Sequence, residues 1–279
     1  MTTTAVIAVL TAALLHAGWN AIAHAITDRL LGFALIGAAG MVGGAVTAAF
    51  AGVPAPESWP ALGLSALLHV GYMGFLMLSY RVGDFGQVYP LARGTSPWLV
   101  ALGAAVLLGE TLSPLHLAGV LVVSAGLTAL VFAGGVPGRE QLPALGAALV
   151  TGVMIAGYTV VDGIGVRASG DPLAYLSWLM ILEGPWFLAA ALLLRRGRLA
   201  ARLRPVWRVG ALGGLLSMAA YGLVLWAQTM GSLAAVAALR ETSIIFGAII
   251  AALVFKEGLG RLRVVSAAVV AVGIALLNL

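Results

Sequence analysis

The feature that most constrains this chain is the number and length of its apolar runs. A helix needs about 20 apolar residues to cross ~30 Å of hydrocarbon. Glycine, proline and charge divide the sequence into ten runs of roughly that size, near 4–26, 30–51, 61–80, 86–109, 114–133, 143–164, 172–194, 207–228, 232–255 and 263–279. Little sequence is left between them, so no soluble domain is expected. With 62% of 279 residues hydrophobic and 9% charged, usage lies far outside that of soluble domains. The expected fold is an all-α integral membrane protein with ten transmembrane helices. The first run lacks a basic leader and exceeds the length of a signal-peptide core, so it reads as a retained span.

The same composition narrows the chemistry. The absence of cysteine removes disulfides, thiolate nucleophiles and cysteine metal sites. The four histidines, at 16, 24, 69 and 116, show no metal-ligand spacing. The sequence holds no H-E-x-x-H, no G-x-S-x-G and no phosphate-cradling loop. Neither a metal, nor another cofactor, nor enzymatic activity is expected. The net charge of +5 comes largely from RRGRLAARLRPVWR (195–208), a loop with six arginines. That loop is a topology signal before it is a binding patch, and nucleic acid is not an expected partner. Under the positive-inside rule it lies in the cytoplasm with Arg29, Arg81, Arg139, Lys256, Arg261 and Arg263, leaving Arg167 and both termini outside. The alternative is that it holds lipid headgroups and orientation is set elsewhere.

An internal repeat organises the spans. RGTSPWLVALGAAVLLGE (93–110) lies over RETSIIFGAIIAALVFKE (240–257) with Arg, Thr, Ser, three Ala and the closing Glu in register. AGWNAIA (17–23) likewise resembles AGYTVVD (156–162). The first offset is 240 − 93 = 147 and the second is 156 − 17 = 139, a gain of eight residues for which the Arg-rich loop is the obvious place. The chain thus divides into 1–135 and 136–279, with five spans in each half. An odd number per copy makes the second enter the membrane from the opposite face, the inverted repeat found in many secondary transporters.

The intramembrane ions locate a candidate site. An arginine at the centre of a span costs roughly 2.5–3.5 kcal/mol on insertion scales, so Arg93 and Arg240 should face the bundle interior. Each falls about eight residues into its span, roughly 12 Å deep, and opposite entry makes the pair straddle the midplane. Pro90, Gly94 and Pro97 around Arg93 predict a local break in the fourth span. Such breaks mark transporter sites, and an arginine fork suits a carboxylate, phosphate or phosphonate. The competing reading locks both arginines to acids on neighbouring helices, for which Asp162, Glu183 and Glu241 are available. Glu241 matches Gly94 in the first copy and stands about 100° round the helix from Arg240, so the two cannot both face one cavity. Asp162 or Glu241 is a candidate carrier of a coupling proton; the alternative is an interhelical pair that fixes packing. His16, Trp19 and Asn20 share one helical face, as do Tyr158 and Asp162. With Tyr72, Tyr89 and Trp226 they would form an aromatic and polar cavity wall. Glu110 and Glu257, at matched helix ends, read as structural pins, and most of the 37 glycines as close-packing residues.

Taken together, H-A-G-W-N (16–20), V-Y-P-L-A-R-G (88–94), L-G-E-T-L-S-P (108–114), Y-T-V-V-D-G-I-G-V-R (158–167) and A-L-R-E-T-S (238–243) resemble a bacterial EamA-type member of the drug/metabolite transporter superfamily. The resemblance covers essentially the whole chain. It implies two inverted five-helix EamA-like repeats around a central cavity, alternating access, and a multi-pass protein of the bacterial plasma membrane, monomeric or homodimeric. Many relatives carry a basic loop between spans two and three and keep both termini inside; here AGVPAPESWP (51–60) has no basic residue. Orientation, and with it import or export, stays open. The expected function is secondary active transport of a small polar metabolite, anionic or zwitterionic. The substrate-binding candidates are Arg93, Trp19, Asn20, Tyr89, Tyr158, Arg240 and His16, and the proton-coupling candidates are Asp162 and Glu241. Export of drugs or amino acids is the alternative, and a non-transport membrane protein fits less well.

Overall fold

Helices begin and end where the sequence supplies caps. In the computed structural model, which describes residues 1–83, 85–134, 136–194, 202–253 and 260–277, the Thr2 side chain accepts from Ala5 N to open α1 (Thr3–Ala25). Asp28 accepts from Leu31 N to open α2 (Arg29–Ala51), and Ser113 accepts from His116 N to open α5 (Pro114–Thr128). These are N-cap bonds that satisfy amides the helix itself cannot. Between them run α3 (Trp59–Val82) and α4 (Phe85–Leu108). Gly109, at φ 65, takes the left-handed conformation that ends α4. The second half holds α6 (Leu142–Ala168), α7 (Pro172–Leu194), α8 (Trp207–Gln228), α9 (Leu233–Arg240), α10 (Ser243–Leu253) and α11 (Arg261–Leu277).

Eight of the described helices are long and apolar enough to cross a membrane, and no strand occurs among the described residues. The chain is a multi-pass membrane protein. The remaining two expected spans differ. The last is the shorter apolar α11, and the ninth is split into α9 and α10. At the split the backbone abandons the i to i−4 ladder: Glu241 N donates to Ala238 O, Thr242 N to Leu239 O and Ile244 N to Glu241 O, all i to i−3 bonds near 3 Å. The break expected in the fourth span is therefore corrected. Helix α4 runs unbroken through both Pro90 and Pro97, and the interruption lies in the ninth span, at Glu241 and Thr242.

Packing explains why α4 stays whole. It lies against α5 on one side and α6 on the other. A Cβ on Gly94 would meet Thr128 Oγ1 at 2.7 Å, and one on Gly152 of α6 would meet Ala92 O at 2.8 Å. Neighbours this close hold a span straight across a proline. The other main pairings are α2 with α7, α3 with α6, α1 with α8 and α5 with α11. The α2–α7 seam is made by small residues: a Cβ on Gly44 would come within 2.6 Å of Ser177 O, and one on Gly37 within 3.3 Å of Gly184 O. A hydroxyl bond between Thr47 and Ser177, 2.6 Å, closes it. Large apolar side chains such as Phe50 and Val106 stand on the outside, as a lipid-facing surface requires.

Polar contacts tie the bundle at its two ends. At one, Arg167 pairs with Glu110 at 2.8 Å and donates to the carbonyls of Gln228 and Gly231, each at 2.9 Å. The other Glu110 oxygen accepts from Leu233 N, the first amide of α9, at 3.0 Å. Glu110 is thus the pin its boundary position suggests. At the opposite end Arg202 reaches Asp28 at 3.2 Å. Glu257 and Lys256, and Arg195, Arg196 and Arg198 of the basic loop, lie outside the described residues.

Candidate functional site

A cavity sits in the middle of the bundle, walled by α1, α2, α3, α6, α7, α8 and the end of α9. Its volume is about 100 Å³. Of the residues singled out in the sequence, His16, Trp19, Tyr158, Tyr72 and Arg240 line it. Trp19 Nε1 donates to His16 Nδ1 at 3.2 Å, which fixes His16 Nδ1 as an acceptor and orients both rings. Asn20 is not among the lining residues; its amide donates to the carbonyl of His16 at 2.8 Å. Tyr89 is half-buried and lies outside the lining.

The two arginines part company here. Arg93, on α4, is buried and off the cavity wall; its Nε stands 2.9 Å from Glu241 Oε2, and its Nη2 donates to Ser243 Oγ at 3.2 Å. The Arg93–Glu241 approach misses good hydrogen-bond alignment, so the contact is Coulombic first. Both side chains are nearly sealed, with exposures of 4% and 0%. Arg240 is just as buried, at 3%, yet its Nε and Nη2 meet no hydrogen-bond partner and no acid forms an ion pair with it among the described residues. Arg240 is among the residues that line the cavity.

The aligned segments 93–110 and 240–257 show where the asymmetry starts: Glu241 pairs with Arg93, whereas the position aligned with Glu241 is Gly94, which offers Arg240 no acid. Gly94 has no room to be anything larger, given Thr128 against it. The unwound turn then resolves the steric conflict between neighbours, leaving Arg240 on the cavity and Glu241 aimed at α4.

Asp162 is fully buried behind the wall. It accepts from Tyr175 Oη at 2.8 Å and from Tyr221 Oη, and Tyr221 itself lines the cavity. Sequence reasoning missed three wall residues of consequence. His69, passed over as a scattered histidine, stacks on Tyr158 with centroids 4.0 Å apart. Glu183, considered only as an arginine partner, faces the cavity. Tyr221 carried no repeat signal at all. His69 and Tyr72, three residues apart on α3, formed the one pattern that could have flagged this side.

Residues 142–279 match the EamA-like transporter family. The matched stretch begins with α6 and contains the broken span, Arg240 and Glu241. A solved crystal structure, 20% identical, has a TM-score of 0.76 and covers 99% of this chain and 96% of its own. At that identity the likeness is one of fold, and it extends over both halves. No curated protein matches the chain.

Proposed function

We propose that the chain is a secondary active transporter, working by alternating access, for a small polar metabolite that carries negative charge, anionic or zwitterionic. Arg240 is the anion contact. The observation that carries this reading is a buried arginine in the cavity lining whose Nε and Nη2 have no hydrogen-bond partner among the described residues. A charge held away from water without a partner is costly, so a site built this way favours an incoming carboxylate, phosphate or phosphonate, which the arginine fork can grip at two oxygens. Arg93, the first choice from sequence, is assigned instead to holding the broken span against α4. Glu241 shares that duty. Asp162 is the remaining proton-coupling candidate, through Tyr221 to the cavity.

The wider reading is a ten-span bundle of two inverted repeats, residues 1–135 and 136–279, in a bacterial plasma membrane, monomeric or homodimeric, without cofactor or catalysis. It is supported by the helix pairings: exchanging the halves turns α1–α8 into α6–α3 and returns α2–α7 and α5–α11 to themselves.

The test is thermal unfolding of the purified protein with amino acids, phosphonates, sugar acids and cationic drugs, since a ligand bound only by the folded state raises its apparent stability. Anions are expected to raise the midpoint, and Arg240→Gln to lose that response; ligands that respond are then followed by uptake into proteoliposomes. An anion response unchanged in Arg240→Gln would overturn the assignment. Stabilisation by cationic or apolar drugs alone would make drug export the better account.

A further inference from the structure

The cavity carries a second charge of opposite sign. Glu183, on α7, lines the same wall as Arg240 and keeps 22% of its side chain exposed. Its ionic neighbour, His69 Nδ1, stands at 3.8 Å, beyond hydrogen-bond reach. That nitrogen is already engaged by the carbonyl of Ser65 at 3.0 Å. Glu183 and Arg240 do not pair with each other. A carboxylate on α7 and a guanidinium-bearing residue on α9 thus line one cavity without forming an ion pair with each other.

The carboxylate side is lined by rings. His69 stacks on Tyr158, 24° from parallel. Tyr221 meets His69 edge-on at 5.6 Å, and Tyr72 meets Tyr158 edge-on at 5.7 Å. All four line the cavity. Aromatic faces attract an ammonium through the ring quadrupole, most strongly out of water, and a carboxylate beside them adds direct charge.

We infer that the cavity binds a small zwitterion, its anionic end on Arg240 and its ammonium end between Glu183 and the rings of Tyr72, Tyr158 and Tyr221. This rests on the transport reading and deepens it. Selectivity works by exclusion: a simple anion leaves Glu183 desolvated without a partner, and a simple cation leaves Arg240 so. The size fits as well. At about 100 Å³ the cavity is several times the roughly 10–15 Å³ that one water needs, room for a small solute and not a bulky one.

The experiment uses two matched pairs of probes that differ only in the positive group: glycine betaine against 3,3-dimethylbutanoate, and leucine against 4-methylpentanoate. Binding to the purified full-length protein is read by thermal shift and calorimetry. Each zwitterion is expected to bind about tenfold or more tighter than its uncharged-end partner. In Glu183→Gln that preference shrinks to within about threefold; Tyr72→Leu, which keeps the site apolar, reduces it part-way and stands in if Glu183→Gln folds poorly. Equal binding within each pair, or a preference untouched in both variants, overturns the zwitterion inference while leaving an anion site at Arg240 standing. Silence from all four probes in folded protein overturns both readings.

Discussion

The segments 93–110 and 240–257 start from the same frame and end in different structures. In the first, Arg-Gly-Thr-Ser sits in an unbroken helix despite two prolines; in the second, Arg-Glu-Thr-Ser opens into a turn of i to i−3 bonds without any proline or glycine at the break. One difference falls at the break itself, Gly94 against Glu241. Gly94 lets α4 press on Thr128, whereas Glu241 has an ionic partner in Arg93 of α4 and leaves the helical path. One copy thereby becomes scaffold and the other keeps a spare guanidinium. Tertiary demand, and not local breakers, decides where a membrane helix unwinds.

The largest effect should come from cutting the tie between the copies. Glu241→Ala leaves Arg93 buried and unpaired, and should lower unfolding free energy by about 3–5 kcal/mol; the double replacement Arg93→Met with Glu241→Leu should recover most of it. Denaturant unfolding in detergent gives both numbers. A loss below about 1 kcal/mol in the single variant would mean the turn is held by something else.

Next in size is Gly94→Ala. Helix propensity alone favours alanine, yet the new Cβ would lie 2.7 Å from Thr128 Oγ1 and 2.9 Å from its amide nitrogen. Overpacking of that kind costs about 1–3 kcal/mol, so the midpoint should fall. Gly247→Ala, in α10, meets nothing within 4 Å and should gain up to about 1 kcal/mol from propensity. The pair of glycine variants, moving in opposite directions, separates close packing from helix preference.

The smallest stability change is expected at Arg240. Arg240→Gln orphans no partner, so its unfolding free energy should stay within about 1 kcal/mol of the parent, although it abolishes the anion response. A loss as large as that of Glu241→Ala would show that Arg240 has a structural partner after all and would erase the contrast between the copies.

How much of this was legible in the sequence depends on the interaction concerned. The spans were, because each is a continuous apolar run: 172–194 and 207–228 coincide with α7 and α8. The buried setting of both arginines followed from desolvation alone. Which arginine is free did not follow, because it depends on Glu241 crossing from one half of the chain to α4 in the other, 148 residues away (241 − 93). The break was misplaced for a related reason: proline and glycine mark local weakness, but α5 and α6 brace α4 where it is weak. His69 and Glu183 meet only because α3 and α7 both border the cavity, and no spacing within either helix records that.

The short helix α9 has a mechanical consequence. It is a strut of eight residues, roughly 12 Å long, whose first amide is tied to Glu110 and whose last residue offers the guanidinium to the cavity. In a continuous helix, a pull on Arg240 would be shared along the whole depth of the bundle. Here the joint at 241–242 separates Arg240 from α10, and the far end of the strut is anchored at the Glu110–Arg167 clasp, so a pull on Arg240 would act on α9 alone.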